Sequence, residues 1–144
     1  MRTTIIALGS ILLALAVIYF VFRDNLPPRT PHKVARLVSH LSIPNNAVII
    51  EFQDQWNEFN GDGFSFIVLQ LSDEAFRGLY QEAKDKGYKK LPVIEDIYGP
   101  LKEMSEETTE GIYIVNIDEE AGMSFEAAML SQDDKRVMIY IASN

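Results

Sequence analysis

This 144-residue chain contains two histidines, and it contains adjacent acidic residues such as Glu95 and Asp96. These are the side chains that could carry acid–base or metal chemistry. His32 and His40 are eight residues apart, which on a helix separates them by about 80° around the axis and about 12 Å along it. They therefore cannot share a metal ion. Glu95 and Asp96 could serve a hydrolase, but a chain with 21 acidic residues contains adjacent acids by chance. Neither set predicts catalysis.

Motifs for nucleophilic, nucleotide and metal chemistry are absent from the sequence. It contains no G-x-S-x-G, no H-E-x-x-H, no phosphate-binding G-x-x-x-x-G-K-[ST] loop and no G-x-G-x-x-G. The lack of cysteine excludes thiol nucleophiles, Cys-ligated zinc and iron–sulfur clusters. Residues 58–63 begin like a calcium loop, but the twelfth position is Leu69, where a bidentate Glu is required. We predict a protein that is not an enzyme and that has no metal or cofactor.

Charge is distributed unevenly along the chain. The formal net charge is −8, which disfavours binding to nucleic acid. Residues 91–134 carry twelve acidic side chains and one basic residue, Lys102, and so contribute −11 (1 − 12). A field of this sign would attract a cationic partner, and we therefore expect a protein partner that is basic. The alternative is a solvated face that only keeps the protein soluble.

A long stretch within this acidic half has no clear hydrophobic period. Residues 90–110 contain Pro92, Gly99 and Pro100, a composition typical of a binding loop or a mobile segment, although a short helix starting at Pro100 would shorten it. The single tryptophan stands beside a predicted hairpin turn. Exposed tryptophan is a typical interface anchor, and packing against the sheet is the alternative for this side chain. The candidate partner-binding residues are Trp56, Phe59, Glu103, Glu106, Glu107 and Glu110.

The first 22 residues predict a transmembrane anchor. Residues 3–22 contain no charge, and a helix of that length spans roughly 30 Å, the thickness of the hydrocarbon core of a membrane. A cleaved signal peptide is the alternative, because Arg2 gives a short positive start. The apolar run is longer than a signal-peptide core and ends in IYFVF, residues 18–22, without a small-x-small cleavage site. We therefore expect an uncleaved single-pass anchor.

Two considerations predict opposite orientations for this anchor. The flank after the apolar run holds Arg23, Arg29, Lys33 and Arg36. By the positive-inside rule these residues would keep the domain in the cytoplasm. A long domain after an N-terminal anchor, however, is translocated largely regardless of its charge. We expect a single-pass protein of the plasma (inner) membrane with its domain on the extracytoplasmic side, and the cytoplasmic side is the alternative.

The rest of the chain predicts a short spacer and one domain. Residues 23–30, RDNLPPRT, contain two prolines and cannot form a continuous helix. The domain over residues 31–144 begins with a helix that Thr30 can cap and Pro31 can open. A second helix follows Ser72 and carries an apolar stripe that we expect in the core. This stripe consists of Phe76, Leu79, Tyr80 and Ala83.

Five segments have the apolar, β-branched and aromatic composition of strands. They are residues 47–53, 64–71, 112–117, 123–130 and 137–142. Turn chemistry at residues 60–63 and short connections between the last three strands favour antiparallel pairing. The order helix-strand-strand-helix-strand-strand-strand predicts an α+β domain of two layers. Its mainly antiparallel five-stranded sheet would carry both helices on one face.

Two classes of function are consistent with these features. The first is a membrane-anchored binding module, such as an inhibitor or immunity-type protein that presents an acidic face to a basic protein. The second is an accessory or structural subunit of a larger membrane complex, in which the transmembrane helix is the main contact. The anchor has no G-x-x-x-G pattern, which is the usual signature of a helix–helix contact of the second class.

Overall fold

The computed structural model describes residues 11–19, 21, 29–56, 62–95, 99–118 and 124–143. Four helices lie in these ranges: α1 (residues 11–19), α2 (Pro31–Ser39), α3 (Asp73–Asp85) and α4 (Pro100–Glu107). Six strands form one sheet: β1 (Val48–Trp56), β2 (Gly63–Gln70), β3 (Lys89–Lys90), β4 (Gly111–Asp118), β5 (Ser124–Ser131) and β6 (Arg136–Ser143).

The sheet is antiparallel throughout, with the strand order β1-β2-β6-β5-β4-β3. β1 and β2 pair at one edge, α3 carries the chain to β3 at the other edge, and β4, β5 and β6 return as a meander to pair with β2. The prediction of an α+β domain with an antiparallel sheet is therefore confirmed. The structure adds a sixth strand, β3, whose two residues are too few to give a periodic signal.

Side-chain caps explain where the two longer helices of the domain begin. Thr30 Oγ1 accepts a hydrogen bond from the Lys33 N–H (3.4 Å) before α2, and Ser72 Oγ accepts one from the Ala75 N–H (3.3 Å) before α3. Each cap satisfies a backbone donor that has no partner within the helix. Lys84 in the last turn of α3 complements the helix dipole. Both predicted helix starts are confirmed.

One face of the sheet is covered by α2 and α3. Phe76 and Leu79 are 2% and 4% exposed, and half-buried Tyr80 packs beside them. These side chains belong to the same apolar cluster as Ile67 of β2 and Ile139 of β6, which are fully buried. The predicted stripe of α3 therefore lies against the sheet, because residues spaced by three and four share one face of a helix.

The opposite face of the sheet is covered as well. Leu101 of α4 is buried with Phe66, Tyr113 and Met138 in a second apolar cluster. The prediction of two layers is therefore wrong, because α4 adds a layer on the face that the prediction left to solvent. The physical reason is visible in β2, where residues 66–69, FIVL, are apolar without alternation. A strand that is apolar on both sides of its pleat is stable when both faces are buried.

The described part of the N-terminal segment is an exposed helix. The large apolar side chains of α1 are exposed by 54% at Val17 and by up to 69% at Leu13. Among the residues that the structure describes, no helix is both long enough and apolar enough to cross a membrane. The rest of the predicted anchor and most of the spacer, residues 1–10, 20 and 22–28, lie outside the described residues.

Candidate functional site

α4 is amphipathic, and its outer side is acidic. Its apolar side, with Leu101 buried, packs on the sheet, while the carboxylates of Glu103, Glu106 and Glu107 are exposed. Glu110, three residues past the helix, is exposed too. We call these four carboxylates the acidic α4 surface. None of the four side chains forms an ion pair or a hydrogen bond with another residue of the described ranges.

Close packing against β6 determines where α4 begins. Gly99, the residue before the helix, has a φ of 68°, and a Cβ atom at this position would lie 3.1 Å from the ring of Tyr140. Both the dihedral angle and the limited space favour glycine. Pro100 occupies the first helical turn, where its missing N–H removes no helical hydrogen bond.

Hydrogen bonds from the β5–β6 turn hold the segment after α4. The Asp133 carboxylate accepts from the backbone N–H groups of Thr109 (2.7 Å) and Glu110 (3.2 Å). The Gln132 N–H donates to the carbonyl oxygen of Glu110 at 2.8 Å. The hydrogen bonds that Asp133 accepts, first from the Thr109 N–H and then from the Glu110 N–H, lower the pKa of Asp133. Asp133 thus has a structural role, and it fixes the backbone that carries Glu110.

An open cavity of about 380 Å³ lies between α4 and the segment before it. Glu106 lies both in its lining and on the acidic α4 surface. Lys102, the one basic residue between positions 91 and 134, lines the cavity as well. The other lining residues are Leu91, Pro92, Val93, Glu95, Ser105, Thr108 and Thr109. Carboxylate, ammonium and hydroxyl groups therefore surround an opening beside the acidic α4 surface.

One wall of this cavity is held by an ion pair at the sheet edge. Glu95 pairs with the ammonium group of Lys89 and accepts a hydrogen bond from the Tyr113 hydroxyl at 2.6 Å. Hydrogen bonding by Lys89 and then by Tyr113 lowers the pKa of Glu95 to about 2. These two contacts hold the Glu95 side chain against β3 and β4 at the wall of the cavity. Asp96, its neighbour in the sequence, lies outside the described residues.

Two of the three carboxylates of α4 lie where they do not stabilise the helix, whereas Glu103 lies in the first turn, where the dipole favours an anion. Glu106 and Glu107 lie near the helix end, where the partial negative charge of the dipole disfavours anions, and no basic residue occupies the last turn. Glu103 and Glu107 are four residues apart, a spacing at which like charges repel. Acids placed anywhere on the surface would keep the protein soluble. Solubility alone therefore does not account for two acids, Glu106 and Glu107, at a helix end that disfavours anions.

Trp56, the other predicted contact, is engaged within the domain. Its indole Nε1 donates to the Asp54 carboxylate at 3.0 Å and to Ser65 Oγ at 2.8 Å. The guanidinium carbon of Arg29 lies 5.0 Å from the centre of the indole ring, which is half-buried. A role for Trp56 in partner binding stays a prediction.

The six predicted contact residues do not form one site. Ser65, to which Trp56 bonds, alternates along β2 with Phe66, which belongs to the apolar cluster under α4. Trp56 therefore lies across the sheet from the acidic α4 surface. Phe59 lies outside the described residues. Of the remaining four, Glu103, Glu106 and Glu107 share α4, whereas Glu110 follows the helix and lies near Tyr80 of α3, whose pKa is raised first by burial and then by the charge of Glu110.

The sequence predicts α4 only as an alternative to a loop and gives no indication of the cavity beside it. The sequence signal for this helix is the recurrence of Leu101, Met104 and Thr108 at i, i+3 and i+7. The glutamates from Glu103 onward follow the same period on the opposite side of the helix. Eight residues give only two turns of this pattern, and the glycine and proline before them suggest a loop.

His32 has a structural partner rather than a metal-binding arrangement, since its Nε2 lies 2.8 Å from the carbonyl oxygen of Ala47, to which it donates. In the described ranges, no group of three or more His, Cys, Asp or Glu side chains could hold a metal ion.

No protein-family model matches the chain, and no curated protein or solved structure is significantly similar to it. The function must therefore be argued from the site itself.

Proposed function

We propose that this chain is a membrane-tethered binding module without enzymatic activity, whose acidic α4 surface docks a basic protein partner. An inhibitor or immunity-type protein would act in this way. The observation that carries the proposal is the set of four exposed carboxylates, unpaired among the described residues, of which Glu106 and Glu107 lie at a helix end that disfavours anions. Such a surface attracts a cationic patch over distances of about 10 Å at moderate salt.

The position of Glu110 relative to the tether supports this proposal. Arg29, at the end of the spacer, donates to Ser65 near the start of β2 at 3.0 Å. Asp133, which holds Glu110, belongs to the turn at the other end of β2, beside Gln70. Ser65 and Gln70 are separated by about 17 Å along the strand. A domain tethered through Arg29 would therefore present Glu110 at the end away from the tether.

The tether in this proposal is the apolar segment of residues 3–22. Its twenty uncharged residues are enough to span about 30 Å as a helix, and its described part, α1, exposes its apolar side chains. We place the domain on the extracytoplasmic side of the plasma (inner) membrane, because such domains are translocated largely regardless of charge. A protease added to intact cells with a permeable outer layer would then digest the domain. Protection of the domain would contradict this orientation.

Charge reversal tests the docking surface. The full-length protein and a variant with Glu106, Glu107 and Glu110 changed to lysine are cross-linked in membranes and purified, and the recovered proteins are quantified by mass spectrometry. A control variant changes the net charge equally by reversing three exposed acids of α3: Asp73, Glu74 and Asp85. We expect a basic partner with the wild type and the control, and its loss with the α4 variant. Equal recovery with both variants would contradict the proposal.

Association kinetics with the recovered partner provide a second test of the same surface. Electrostatic steering acts on the encounter, so the on-rate should fall steeply from low to physiological salt while dissociation changes less. The α4 variant should associate slowly and should lose most of this salt dependence. An on-rate that is independent of salt in the wild type would show that the carboxylates do not steer the partner.

An accessory subunit of a membrane complex is the second candidate, and the exposed apolar side chains of α1 favour it. In that case the anchor itself would contact another membrane helix. Replacing residues 3–22 by an unrelated apolar helix of equal length keeps the tether and removes any specific helix contact. Loss of the partner in this variant, with retention in the α4 variant, would favour the second candidate.

A further inference from the structure

We propose that a groove between α3 and the β5–β6 turn binds an extended acidic segment of a partner protein. The groove consists of two adjoining open cavities of about 380 and 460 Å³, which share Tyr80 and Gln132 in their linings. We call it the basic groove, because four of its lining residues are cationic: Arg77, Lys84, Lys90 and Lys135. The inference goes beyond the proposed function, since it does not depend on attraction by the acidic α4 surface.

The charge of the basic groove is opposite to that of the chain. Its lining carries the four cations and two acids, Asp73 and Glu110, and so has a formal charge of +2 (4 − 2), whereas the whole chain has −8. Asp133 is close enough to Lys135 for their charges to interact, but it does not line either cavity. The basic groove is therefore a place on this acidic protein where an anionic segment is attracted.

The four cations have no carboxylate partner among the residues that the structure describes. Two of them donate only to backbone carbonyl oxygens, Arg77 through Nε and Lys135 through Nζ. By contrast, the neighbouring Lys86 and Lys89 each form an ion pair with a glutamate. The charges of the basic groove are therefore available to the carboxylates of a partner.

Aromatic rings in the lining position two of the ammonium groups. Lys84 Nζ lies 4.8 Å from the centre of the Tyr80 ring, and Lys135 Nζ lies 5.5 Å from the centre of the Phe76 ring. A side chain that is already held in place loses less entropy when a ligand binds. These two ammonium groups are therefore prepared for an anionic ligand.

The distribution of the cations favours an extended ligand with several carboxylates. Each cavity holds one pair, Arg77 with Lys135 and Lys84 with Lys90. Arg77 and Lys84 are seven residues apart on one face of α3, which separates them by about 10 Å along its axis. In an extended peptide, alternate side chains point the same way and recur about every 7 Å. Two or three alternate acidic residues would therefore reach both pairs, whereas a single phosphate group would reach only one.

The position of the basic groove in the domain favours a protein segment over lipid headgroups. The Leu71 N–H donates to the carbonyl oxygen of Lys135 at 3.1 Å, so the groove lies at the end of β2 away from Ser65. Arg29, at the end of the spacer, bonds to Ser65. With the tether of the proposed function, the groove would therefore face away from the membrane.

The probe for the basic groove is a synthetic peptide of about ten residues that alternates serine and glutamate, added to the full-length protein in detergent. We expect binding by calorimetry that weakens as the salt concentration rises. A carbodiimide, which joins carboxylates to amines, should cross-link the peptide to Lys84, Lys90 and Lys135. A serine–glutamine peptide of the same length should bind at least about tenfold more weakly. Equal binding of the two peptides would overturn the proposal.

Charge reversal of single lysines locates the contact on the protein. Lys84→Glu and Lys90→Glu change the two cations of one cavity, on α3 and on β3, and each should weaken peptide binding by about tenfold or more. Lys102→Glu makes the same change at an exposed lysine of α4, outside the groove, and should change binding by less than about threefold. Circular dichroism checks that each variant folds. Wild-type binding by a folded Lys84→Glu or Lys90→Glu variant would overturn the proposal.

Glu110 provides a test of opposite sign. It lines the groove, where its charge repels an acidic ligand, so Glu110→Gln should strengthen peptide binding by about two- to fivefold. The same change should weaken the attraction of a basic partner to the acidic α4 surface, so this proposal and the proposed function can fail separately. Weaker binding of the acidic peptide by Glu110→Gln would overturn the proposal.

Inorganic phosphate and anionic lipid test the other sources of negative charge. Phosphate that binds as tightly as the peptide would assign the groove to a small anion. Acetylation of Lys84 and Lys90 that slows on transfer of the protein from neutral to anionic bilayers, without the peptide, would assign the groove to the membrane surface. Either result would overturn the proposal.

Discussion

The guanidinium carbon of Arg29 lies 5.0 Å from the centre of the Trp56 indole ring, and this contact holds the end of the spacer on the domain. The same guanidinium donates to Ser65 Oγ at 3.0 Å. Ser65 is fully buried, and its hydroxyl donates to Asp54 while it accepts from Arg29 and Trp56. One hydroxyl therefore uses its donor and both of its acceptor positions, and it joins the spacer to two strands.

Ser65→Ala should lower the free energy of unfolding by about 1–3 kcal/mol, because it removes the shared partner of Arg29 and Trp56. Chemical denaturation followed by the fluorescence of Trp56, the single tryptophan, measures this change. The matched control is Ser105→Ala, since the Ser105 hydroxyl bonds to the carbonyl of Lys102 within α4 and is half-exposed. The control should lose less than about 0.5 kcal/mol. Equal losses in the two variants would contradict the role of Ser65.

Leu79→Ala tests the apolar cluster under α2 and α3. Leu79 is 4% exposed, so the truncation should leave a cavity and lower the free energy of unfolding by about 2–5 kcal/mol. Leu37→Ala removes the same atoms from a side chain that is 39% exposed on α2, and its loss should be below about 1 kcal/mol. Thermal unfolding by calorimetry compares the two variants. A loss for Leu79→Ala as small as that for Leu37→Ala would contradict its position in the core.

The elements that the sequence predicts well are those with local signals. α3 has a capping serine, an apolar stripe of the helical period and a cationic last turn, and each of these can be read without knowledge of the tertiary structure. β3 and α4 lack such signals. β3 has two residues, and its pairing with β4 joins segments more than twenty residues apart, while the eight residues of α4 are too few to form a stable helix without the sheet.

The same distinction holds for the candidate site. The charge count identifies the four glutamates as candidates, but the outward position of Glu103, Glu106 and Glu107 on α4 follows from the packing of Leu101 against the sheet. The partners of Trp56 could not be predicted, because the pairing of Asp54 with Ser65 depends on the register of two strands. Register is set by the buried face of the whole sheet and not by the residues of the turn alone.

The lowered pKa of Glu95 predicts that its contribution to the stability of the fold depends on pH. Its pKa in the folded protein is about 2, against a usual value of 4.5, because it bonds to Lys89 and Tyr113. A lowered folded-state pKa stabilises the protein above the unfolded-state pKa, and this stabilisation is lost as the pH falls towards the folded-state pKa. Glu95→Gln should therefore lower the thermal midpoint at pH 7, and the difference from the wild type should shrink between about pH 5 and pH 2.

Thermal midpoints measured across this pH range provide the comparison. The control is Glu103→Gln, because Glu103 is exposed and its carboxylate has no ion-pair or hydrogen-bond partner in the part of the chain that the structure describes. This variant removes a repulsion with Glu107 of at most about 0.5 kcal/mol, so its thermal midpoint should stay close to that of the wild type at every pH. A difference between wild type and Glu95→Gln that is constant from pH 7 to pH 2 would show that the ion pair with Lys89 does not stabilise the fold.

The acidic α4 surface predicts that binding and stability change in opposite directions. In Glu107→Lys a cation replaces an anion at the helix end, and the repulsion between Glu103 and Glu107 becomes an attraction between residues four apart. The free energy of unfolding should therefore rise by about 0.3–1 kcal/mol while association with a basic partner slows.

Glu74→Lys is the control of opposite sign, since it replaces a favourable anion in the first turn of α3 and should lower the free energy of unfolding by a similar amount. Denaturant titration of both variants measures these changes. If Glu107→Lys is less stable than the wild type, the carboxylate supports its helix, and the argument that these acids are placed for recognition fails.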